Sequence, residues 1–337
     1  MKVLCLRLSA IGDVVVTTPV LRALHRQLGA EVHVLTKAAP GLMLVGNPHV
    51  RRVWTYPLSL GDWARLRAER FDLVVDLHCN ARTHALRLRL GRPAVGYRKR
   101  NSAKAALVRR GVDRLGREHL AERYFRALAP LGVVYDGEGL DYFVQPGERA
   151  SALLALPRAL RGGDFVAVAL GATHATKRMP AELVTRVLRA LGGRAVLLGG
   201  DDVVDLAREV ADALRREADF ALGGGEVVDL VGGLELRVSC AVVAEARAVL
   251  SPDTGLMHVA AALGKPQVSV WGSTVPAFGM YPLRAAGAGG EAVEAGVGGL
   301  ACRPCSRIGY AACPRGHFRC MRDQDAAAIA GALAGGG

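Results

Sequence analysis

The sequence predicts an α/β protein built from two doubly wound parallel-sheet domains. Short apolar runs of strand length alternate with longer segments in which apolar residues recur at helical spacing, a rhythm typical of parallel sheets covered by helices. The alternation pauses at the glycine-containing polar stretch 132–147 and then resumes. At 337 residues the chain is also long for a single hydrophobic core. We therefore expect domains at residues 1–150 and 160–322, followed by a C-terminal helix and tail at residues 323–337.

The first domain is predicted to begin with a buried strand at residues 2–8. A polar turn leads into a helix that opens near Asp13 and stops at Gly29, because glycine readily adopts the left-handed conformation found at helix ends. Strands and helical segments then alternate. We predict strands at residues 32–35, 50–54 and 73–77, helical segments at 41–45, 60–70 and 118–131, and a loop with a short helix at 95–117.

The second domain is predicted to repeat this alternation after a connecting helix at residues 151–160. Proline fits the first turn of a helix, so a helix is expected after Pro180. We predict strands at residues 165–170, 195–198 and 246–250, and helices at 202–216, 234–246 and 323–333. The Gly- and Ala-rich segment 285–299 is predicted to be a mobile loop, and the terminal glycines are predicted to be frayed.

The turn after the first strand reads Ser-Ala-Ile-Gly-Asp. It lacks the GxGxxG fingerprint of dinucleotide-binding domains, which disfavours NAD as a ligand. It carries instead the carboxylate of Asp13, beyond the carboxyl end of the strand, where open α/β sheets bind their ligands. The alternative is structural, with Asp13 only complementing the dipole at the start of the helix.

The most specific stretch of the chain is residues 251–272. A polar turn containing Asp253 and Thr254 follows an apolar strand, and a helix that starts near Gly255 places His258 one turn beyond Thr254. Unpaired N–H groups and the positive dipole end make a helix start suitable for phosphate, and glycine lets the backbone approach a ligand closely. The turn is therefore a candidate phosphate site, and the alternative is a capped helix that binds nothing.

The formal net charge of +13 indicates attraction to an anionic partner: nucleic acid, an acidic lipid surface or a phosphorylated substrate. Much of the excess lies in one basic segment, which contains Arg98, Lys99, Arg100, Lys104, Arg109, Arg110, Arg114 and Arg117. Few acidic residues accompany it, which favours a binding surface over the alternative of a solvated arginine-rich face. No run of about 18 apolar residues predicts a membrane span. Arg7 and Asp13 interrupt the first apolar run and disfavour a signal peptide, so a cytoplasmic protein is expected.

Four of the seven cysteines cluster near the end of the chain, at Cys302, Cys305, Cys313 and Cys320. In a reducing cytosol they are not expected to form disulfides. The C-x-x-C pair, with the two later cysteines and His317, is a candidate tetrahedral zinc site. The irregular spacing of the later residues leaves open the alternative of buried thiols without metal.

Five separate motifs resemble the glycosyltransferase family 9 heptosyltransferases. They read RLSAIGDVVVTTPVL, HLAERY, GATHATKRMP, SPDTGLMHVAAALGKP and CRPC…CPRGHFRCM, and they span nearly the whole chain. The resemblance implies the GT-B fold, in which two Rossmann-like domains face each other across the active-site cleft. It also implies transfer of heptose from ADP-heptose onto the lipopolysaccharide inner core.

The resemblance assigns roles to particular residues. It implies that Asp13 is the general base, that Lys177, beside Thr176, contacts the donor diphosphate, and that the donor-binding turn comprises Asp253, Thr254, Gly255 and His258. Two motifs depart from the family pattern. The usual K-x-W-P reads Lys-Arg-Met-Pro at residues 177–180, and N-P-G-A reads Ala-Leu-Gly-Ala at residues 169–172.

On this reading the enzyme needs no cofactor or metal, because a lysine and a helix terminus supply the positive charge that the leaving group requires. Arg98, Lys99 and Arg100 are predicted to bind the phosphates and acidic sugars of a lipid-linked acceptor. That acceptor would place the protein at the inner face of the cytoplasmic membrane.

Two alternatives remain open. One is a GT-B transferase that uses another nucleotide sugar. The other is a nucleic-acid-binding protein that uses the basic segment and a zinc tail. The second is disfavoured because aromatic residues are only 5% of the chain and do not alternate with basic residues, as base stacking would require.

Overall fold

The computed structural model describes residues 1–335, with the side chains of residues 218 and 219 left out of the description. Gly336 and Gly337, the glycines predicted to be frayed, lie outside the described residues. The chain divides into two compact units. The first unit contains Met1–Arg100 and Glu118–Phe143, and the second contains Asn101–Arg117 and the chain from Val144 onward. The basic segment is thus divided between the two units.

Each unit contains one sheet of parallel strands. The first sheet has the strand order β3-β2-β1-β4-β5, and the second has the order β11-β10-β9-β6-β7-β8. The strands are β1 Lys2–Leu6, β2 Glu31–Thr36, β3 Arg52–Thr55, β4 Leu73–Asp76, β5 Ala94–Gly96, β6 Val166–Ala169, β7 Arg194–Leu198, β8 Glu226–Asp229, β9 Ala248–Pro252, β10 Gln267–Trp271 and β11 Ala292–Gly296. The predicted α/β class is confirmed.

Helices connect the strands, as parallel pairing requires. They are α1 Ile11–Val15, α2 Thr18–Leu28, α3 Ala38–Gly41, α4 Leu60–Ala68, α5 Ala81–Leu90, α6 Asn101–Arg110, α7 Leu120–Leu128, α8 Pro146–Ala155, α9 Ala181–Leu191, α10 Val204–Arg215, α11 Ala218–Leu222, α12 Leu236–Glu245, α13 Gly255–Ala262, α14 Arg319–Arg322 and α15 Ala326–Ala334. Short 3₁₀ turns lie at Leu42–Leu44, Ala129–Leu131, Arg158–Leu160, Ala175–Lys177, Asp201–Val203 and Pro276–Phe278.

The central strands carry the core because both of their faces are covered. In β6, Val166 and Val168 pack into one apolar cluster, while Ala167 belongs to the cluster on the opposite face. Ile329 and Leu333 of α15 join the first of these clusters. The C-terminal helix is therefore part of the core of the second unit.

The helix predicted from Asp13 to Gly29 is two helices. Pro19 has no N–H to donate to Val15, and the hydroxyl of Thr18 donates to the Val15 carbonyl instead, at 2.8 Å. The hydroxyl of Thr17 likewise donates to the carbonyl of Val14 at 2.6 Å. These side-chain bonds end α1 and allow α2 to begin. The predicted stop at Gly29 is confirmed by its left-handed φ of 59°.

The mobile loop predicted at residues 285–299 is wrong, because these residues contain β11. Its five residues pair in parallel with β10, from Gln267 opposite Ala292 to Trp271 opposite Gly296. The strand is only partly buried, and its alanines and glycine carry little β-propensity. Pairing with β10, rather than local sequence preference, forms this edge strand.

Candidate functional site

In the first unit, the structure joins Asp13 to Arg7 at the carboxyl end of β1. Asp13 lies in the first turn of α1, and its Oδ1 is 2.5 Å from Arg7 Nη2. Its Oδ2 accepts a hydrogen bond from the backbone N–H of Ala10 at 2.9 Å. Both carboxylate oxygens are therefore oriented by defined donors.

Arg7 is itself held from several sides. It donates to the carbonyl of Leu77 at 2.5 Å, to the hydroxyl of Tyr124 at 2.9 Å and to the carbonyl of Ser9 at 3.0 Å. Although burial acts to lower it, the pKa of Arg7 is raised, mainly by the negative charge of Asp13. The buried guanidinium therefore remains charged and fixed in place.

The neighbouring strands bring more titratable groups to the same edge of the sheet. His78 follows β4, and burial, together with the charges of Arg7 and Lys99, lowers its pKa to about 4. Burial and the charge of Arg7 also lower the pKa of Lys99, which follows β5. His78 is therefore neutral near pH 7, while the cations beside it favour an anionic group.

The predicted acceptor residues Arg98, Lys99 and Arg100 lie between β5 and α6, at the end of the first part of the first unit. Arg100 lies 3.4 Å from the Glu118 carboxylate, so part of its charge is balanced. The basic residues that follow belong to the second unit, where Arg117 pairs with Glu294 at 2.7 Å. The three predicted residues thus belong to the unit that carries Asp13.

In the second unit, three adjacent strands converge on one polar cluster. Lys177 follows β6, Asp253 follows β9, and Thr274 follows β10, and these strands are neighbours in the order β10-β9-β6. Lys177 Nζ lies 2.7 Å from Asp253 Oδ2, and the Thr274 hydroxyl donates to the same oxygen at 2.8 Å. The ammonium is therefore held beside the turn that precedes α13.

The start of α13 is built as the turn motif predicts. Thr254 is the N-cap residue with extended backbone, and its side chain makes no capping hydrogen bond in the described structure. Gly255 is the first helical residue, and His258 is buried in the first turns. The Thr254 side chain does not bond to the backbone N–H groups at the start of α13, so these groups remain suitable for binding an anion.

Thr176 connects this cluster to the C-terminal tail. Its backbone N–H and hydroxyl both donate to the carbonyl of Tyr310, at 3.1 and 3.2 Å, and its hydroxyl accepts from the Tyr310 N–H at 2.8 Å. Arg303 fastens the tail to the end of β10 by donating to the carbonyls of Trp271 and Gly272 at 3.1 and 2.9 Å. The tail thus supports the loop that carries Lys177.

The four tail cysteines are reduced, and Cys302 Sγ lies 3.8 Å from His317 Nε2. Burial raises the pKa of Cys305, and burial with nearby thiols raises that of Cys320 to about 11. Zinc binding would release the protons of these thiols, because the ligands are thiolates. No three of these ligands lie within 4.8 Å of one another in the part of the chain that is described.

One group in the described residues does bring three possible metal ligands within 4.8 Å: Glu31, His33 and Glu69. Trp54 donates to Nδ1 of His33 at 3.1 Å, so the proton of the neutral ring is on Nε2, which faces Glu31 at 2.9 Å. The ammonium of Lys2 lies 2.8 Å from Glu69. A protonated nitrogen cannot coordinate a metal, and the lysine already supplies the positive charge.

Arg7 and Thr274 are site residues that the sequence-based assignment missed. Arg7 directly follows β1, and Thr274 lies in the loop that follows β10. Adjacent parallel strands bring such residues to one edge of the sheet, so the same rule applied to every strand would have found both.

Comparison with known proteins identifies the family of the chain. The family model described as glycosyltransferase family 9 (heptosyltransferase) matches residues 62–289. The chain is 27% identical over 304 residues to lipopolysaccharide heptosyltransferase 1 of Pseudomonas aeruginosa, which covers 82% of this chain and 80% of that protein.

Solved structures show the same architecture. E. coli ADP-heptose lipopolysaccharide heptosyltransferase II is similar with a TM-score of 0.71 at 21% identity, over 99% of this chain and 98% of that one. E. coli heptosyltransferase WaaC with ADP-2-deoxy-2-fluoro heptose is similar with a TM-score of 0.58 at 22% identity, over 87% and 92% of the two chains. The GT-B fold implied by the sequence motifs is confirmed.

Proposed function

This chain belongs to glycosyltransferase family 9, the heptosyltransferase family, and on that premise we propose that it transfers heptose from ADP-heptose to the lipopolysaccharide inner core or a related lipid-linked acceptor. The observation that carries the proposal is the position of Lys177 beside Asp253, 2.7 Å away, at the start of α13. A cation and a helix N-terminus together suit the diphosphate of a nucleotide sugar.

The reaction is an inverting displacement. An acceptor hydroxyl oxygen forms a bond to the anomeric carbon of the donor as the bond from that carbon to the ADP oxygen breaks. The electron pair of the broken bond leaves with ADP, and Asp13 receives the proton of the hydroxyl. Positioned base catalysis of this kind typically contributes about 10²- to 10⁴-fold to the rate.

Lys177 and the N–H groups at the start of α13 stabilise the negative charge that grows on ADP. This interaction strengthens as the bond breaks, so it lowers the transition-state energy more than it stabilises the bound donor. Asp253 holds the ammonium through Oδ2, with Thr274 on the same oxygen. The role of Asp253 is therefore to orient Lys177, with Thr254, Gly255 and His258 forming the rest of the donor turn.

These groups supply the positive charge without a metal, so we expect transfer to continue in the presence of a chelator. A structural zinc at the tail cysteines is a separate hypothesis. One zinc per chain, lost when Cys302 and Cys305 are both replaced by serine, would support it. An absence of zinc from protein purified without chelators would reject it.

The proposed acceptor is anionic and lipid-linked, because Arg98, Lys99 and Arg100 lie in the unit that carries Asp13. We place the enzyme at the inner surface of the cytoplasmic membrane for that reason. Within the described residues, no helix has both the length and the apolar character needed to cross a membrane.

The test is product analysis with purified ADP-heptose and a lipid acceptor truncated before the inner-core heptose. Formation of an acceptor larger by one heptose, with one ADP released, supports the proposal. A thermal-shift comparison of ADP-, UDP- and GDP-sugars tests the alternative donor, because only a ligand that binds raises the melting temperature. Stabilisation by a UDP- or GDP-sugar but not by ADP-heptose would overturn the donor assignment.

A further inference from the structure

A second concave surface lies in the first unit, at the end of β3 and between α4 and α5. Its cavity has a volume of about 380 Å³. The lining residues are Tyr56, Pro57, Leu58, Ser59, Leu60, Trp63, Arg82, Ala85, Leu86 and Arg89. None is a proposed catalytic, donor or acceptor residue, and none is acidic. We call these residues, with Leu88 of α5, the α4–α5 surface.

Aliphatic side chains on helices α4 and α5 are exposed to solvent. Leu60, the first residue of α4, is 91% exposed, and Leu88 is 70% exposed. Ser59 fixes the start of α4 by accepting a hydrogen bond from the N–H of Asp62 at 3.0 Å. Leu60 is thus exposed on an ordered helix end.

The charges on the same surface are uncompensated cations. Arg82 and Arg89 line the cavity, and neither forms an ion pair with any described residue. The Arg89 guanidinium lies over the ring of Trp63, 4.8 Å from its centroid. The cavity thus combines the cationic head of Arg89 with the apolar surfaces of Trp63 and the exposed Leu60.

We infer that the α4–α5 surface docks the protein on a bilayer that contains anionic phospholipid. Exposed leucines and a tryptophan suit the boundary between headgroups and acyl chains. Arginines without protein partners suit lipid phosphates, and each contributes about fivefold to the affinity for an anionic surface. Charge and apolar exposure coincide here, whereas most of the basic segment belongs to the second unit, where Lys104 of α6 already lies over the ring of Phe278.

Nucleic acid fits this surface less well than a bilayer does. Nucleic acid needs open aromatic faces, and the face of Trp63 is already covered by Arg89. Arginine and tryptophan are also common in protein interfaces, so a protein partner is the other outcome of the test, in which the full chain does not bind protein-free vesicles. A bilayer accepts the leucines and the arginines together.

The experiment measures co-sedimentation of the full chain with vesicles of phosphatidylcholine alone or mixed with phosphatidylglycerol. We expect binding to the mixed vesicles only, weakened by salt. Leu60→Ser with Leu88→Ser, and separately Arg82→Gln with Arg89→Gln, should each reduce the affinity about tenfold or more. The matched controls Leu154→Ser with Leu222→Ser, and Arg208→Gln with Arg215→Gln, alter exposed residues of the second unit and should bind like the wild type.

Tryptophan emission adds a local readout. Trp54 and Trp271 are buried, so a blue shift on mixing with vesicles reports Trp63 and should be lost in Trp63→Phe. The inference is overturned if the leucine or the arginine variant binds vesicles like the wild type. It is also overturned if binding is lost only in the variant that combines Arg98→Ser, Lys99→Ser and Arg100→Ser. The vesicles contain neither donor nor acceptor, so vesicle binding is measured independently of heptose transfer. If the protein binds vesicles but forms no product in the separate transfer assay, the result counts against the proposed function and not against this surface.

Discussion

The buried Arg7 and the partly exposed Asp13 form an ion pair in which Nη2 of the arginine lies 2.5 Å from Oδ1 of the aspartate. The arginine is anchored to the backbone of the neighbouring strand region through the carbonyl of Leu77. The position of the proposed base is therefore set by the sheet rather than by the short helix that carries it. Four predictions about the site and one about stability versus pH follow from such contacts.

Replacing Asp13 by alanine should abolish heptose transfer and leave ADP binding intact. The loss should be about 10²- to 10⁴-fold, because base catalysis is removed while Lys177 and the donor turn lie in the other unit. ADP release measures the rate, and calorimetry measures binding. Substantial turnover by Asp13→Ala would show that another group accepts the proton.

Replacing Arg7 by methionine should lower kcat by about tenfold or more without changing the affinity for ADP. The carboxylate of Asp13 would lose its cationic partner and its fixed orientation. Tyr124→Phe is the matched control, because it removes only one of the hydrogen bonds to Arg7. Equal kcat values for Arg7→Met and wild type would exclude a positioning role for Arg7.

Replacing Lys177 by alanine should weaken ADP binding by about 10- to 150-fold, the range expected when a hydrogen bond to a charged group is lost. The variant also leaves Asp253 without its cation, so a negative charge would face the diphosphate. Lys37→Ala, at an exposed lysine of the first unit, is the control. Wild-type affinity in Lys177→Ala, measured by calorimetry, would remove this lysine from the donor site.

Replacing Arg98, Lys99 and Arg100 together by serine should raise the KM for the lipid acceptor with little effect on donor affinity. The variant loses three positive charges from the unit that carries Asp13, and an anionic acceptor is attracted less. Serine at Arg158, Arg208 and Arg215 gives the same charge change on the second unit. An unchanged acceptor KM would sink the assignment of the three residues.

His78 should make the folded state less stable in acid. Its pKa is lowered to about 4 in the fold, from an ordinary value of 6.5, mainly by burial. The unfolded chain therefore binds a proton that the folded chain does not between these values, so stability is present above pH 6.5 and is lost as pH falls toward 4. Thermal melts should show that the melting temperature falls less in acid for His78→Gln than for the wild type. An equal fall in both proteins would show that His78 does not cause the loss of stability.

Much of the fold was predictable because buried parallel strands are short apolar runs and helices end at recognisable residues. The strands β1, β2, β6 and β9 and the stop of α2 at Gly29 follow from local pattern. The edge strand β11 could not be predicted from local pattern, because it is stabilised by pairing with β10 rather than by the β-propensity of its own residues.

The family, the α/β class and the candidate turn at residues 253–255 can be recognised from the sequence alone, because they depend on residue order and local spacing. The contacts between side chains depend on the folded structure. The pairing of Asp253 with Lys177, 76 positions apart in the numbering, depends on which strand ends lie side by side. Strand order is set by packing across the whole sheet, and it brings together residues whose separation along the chain carries no such information.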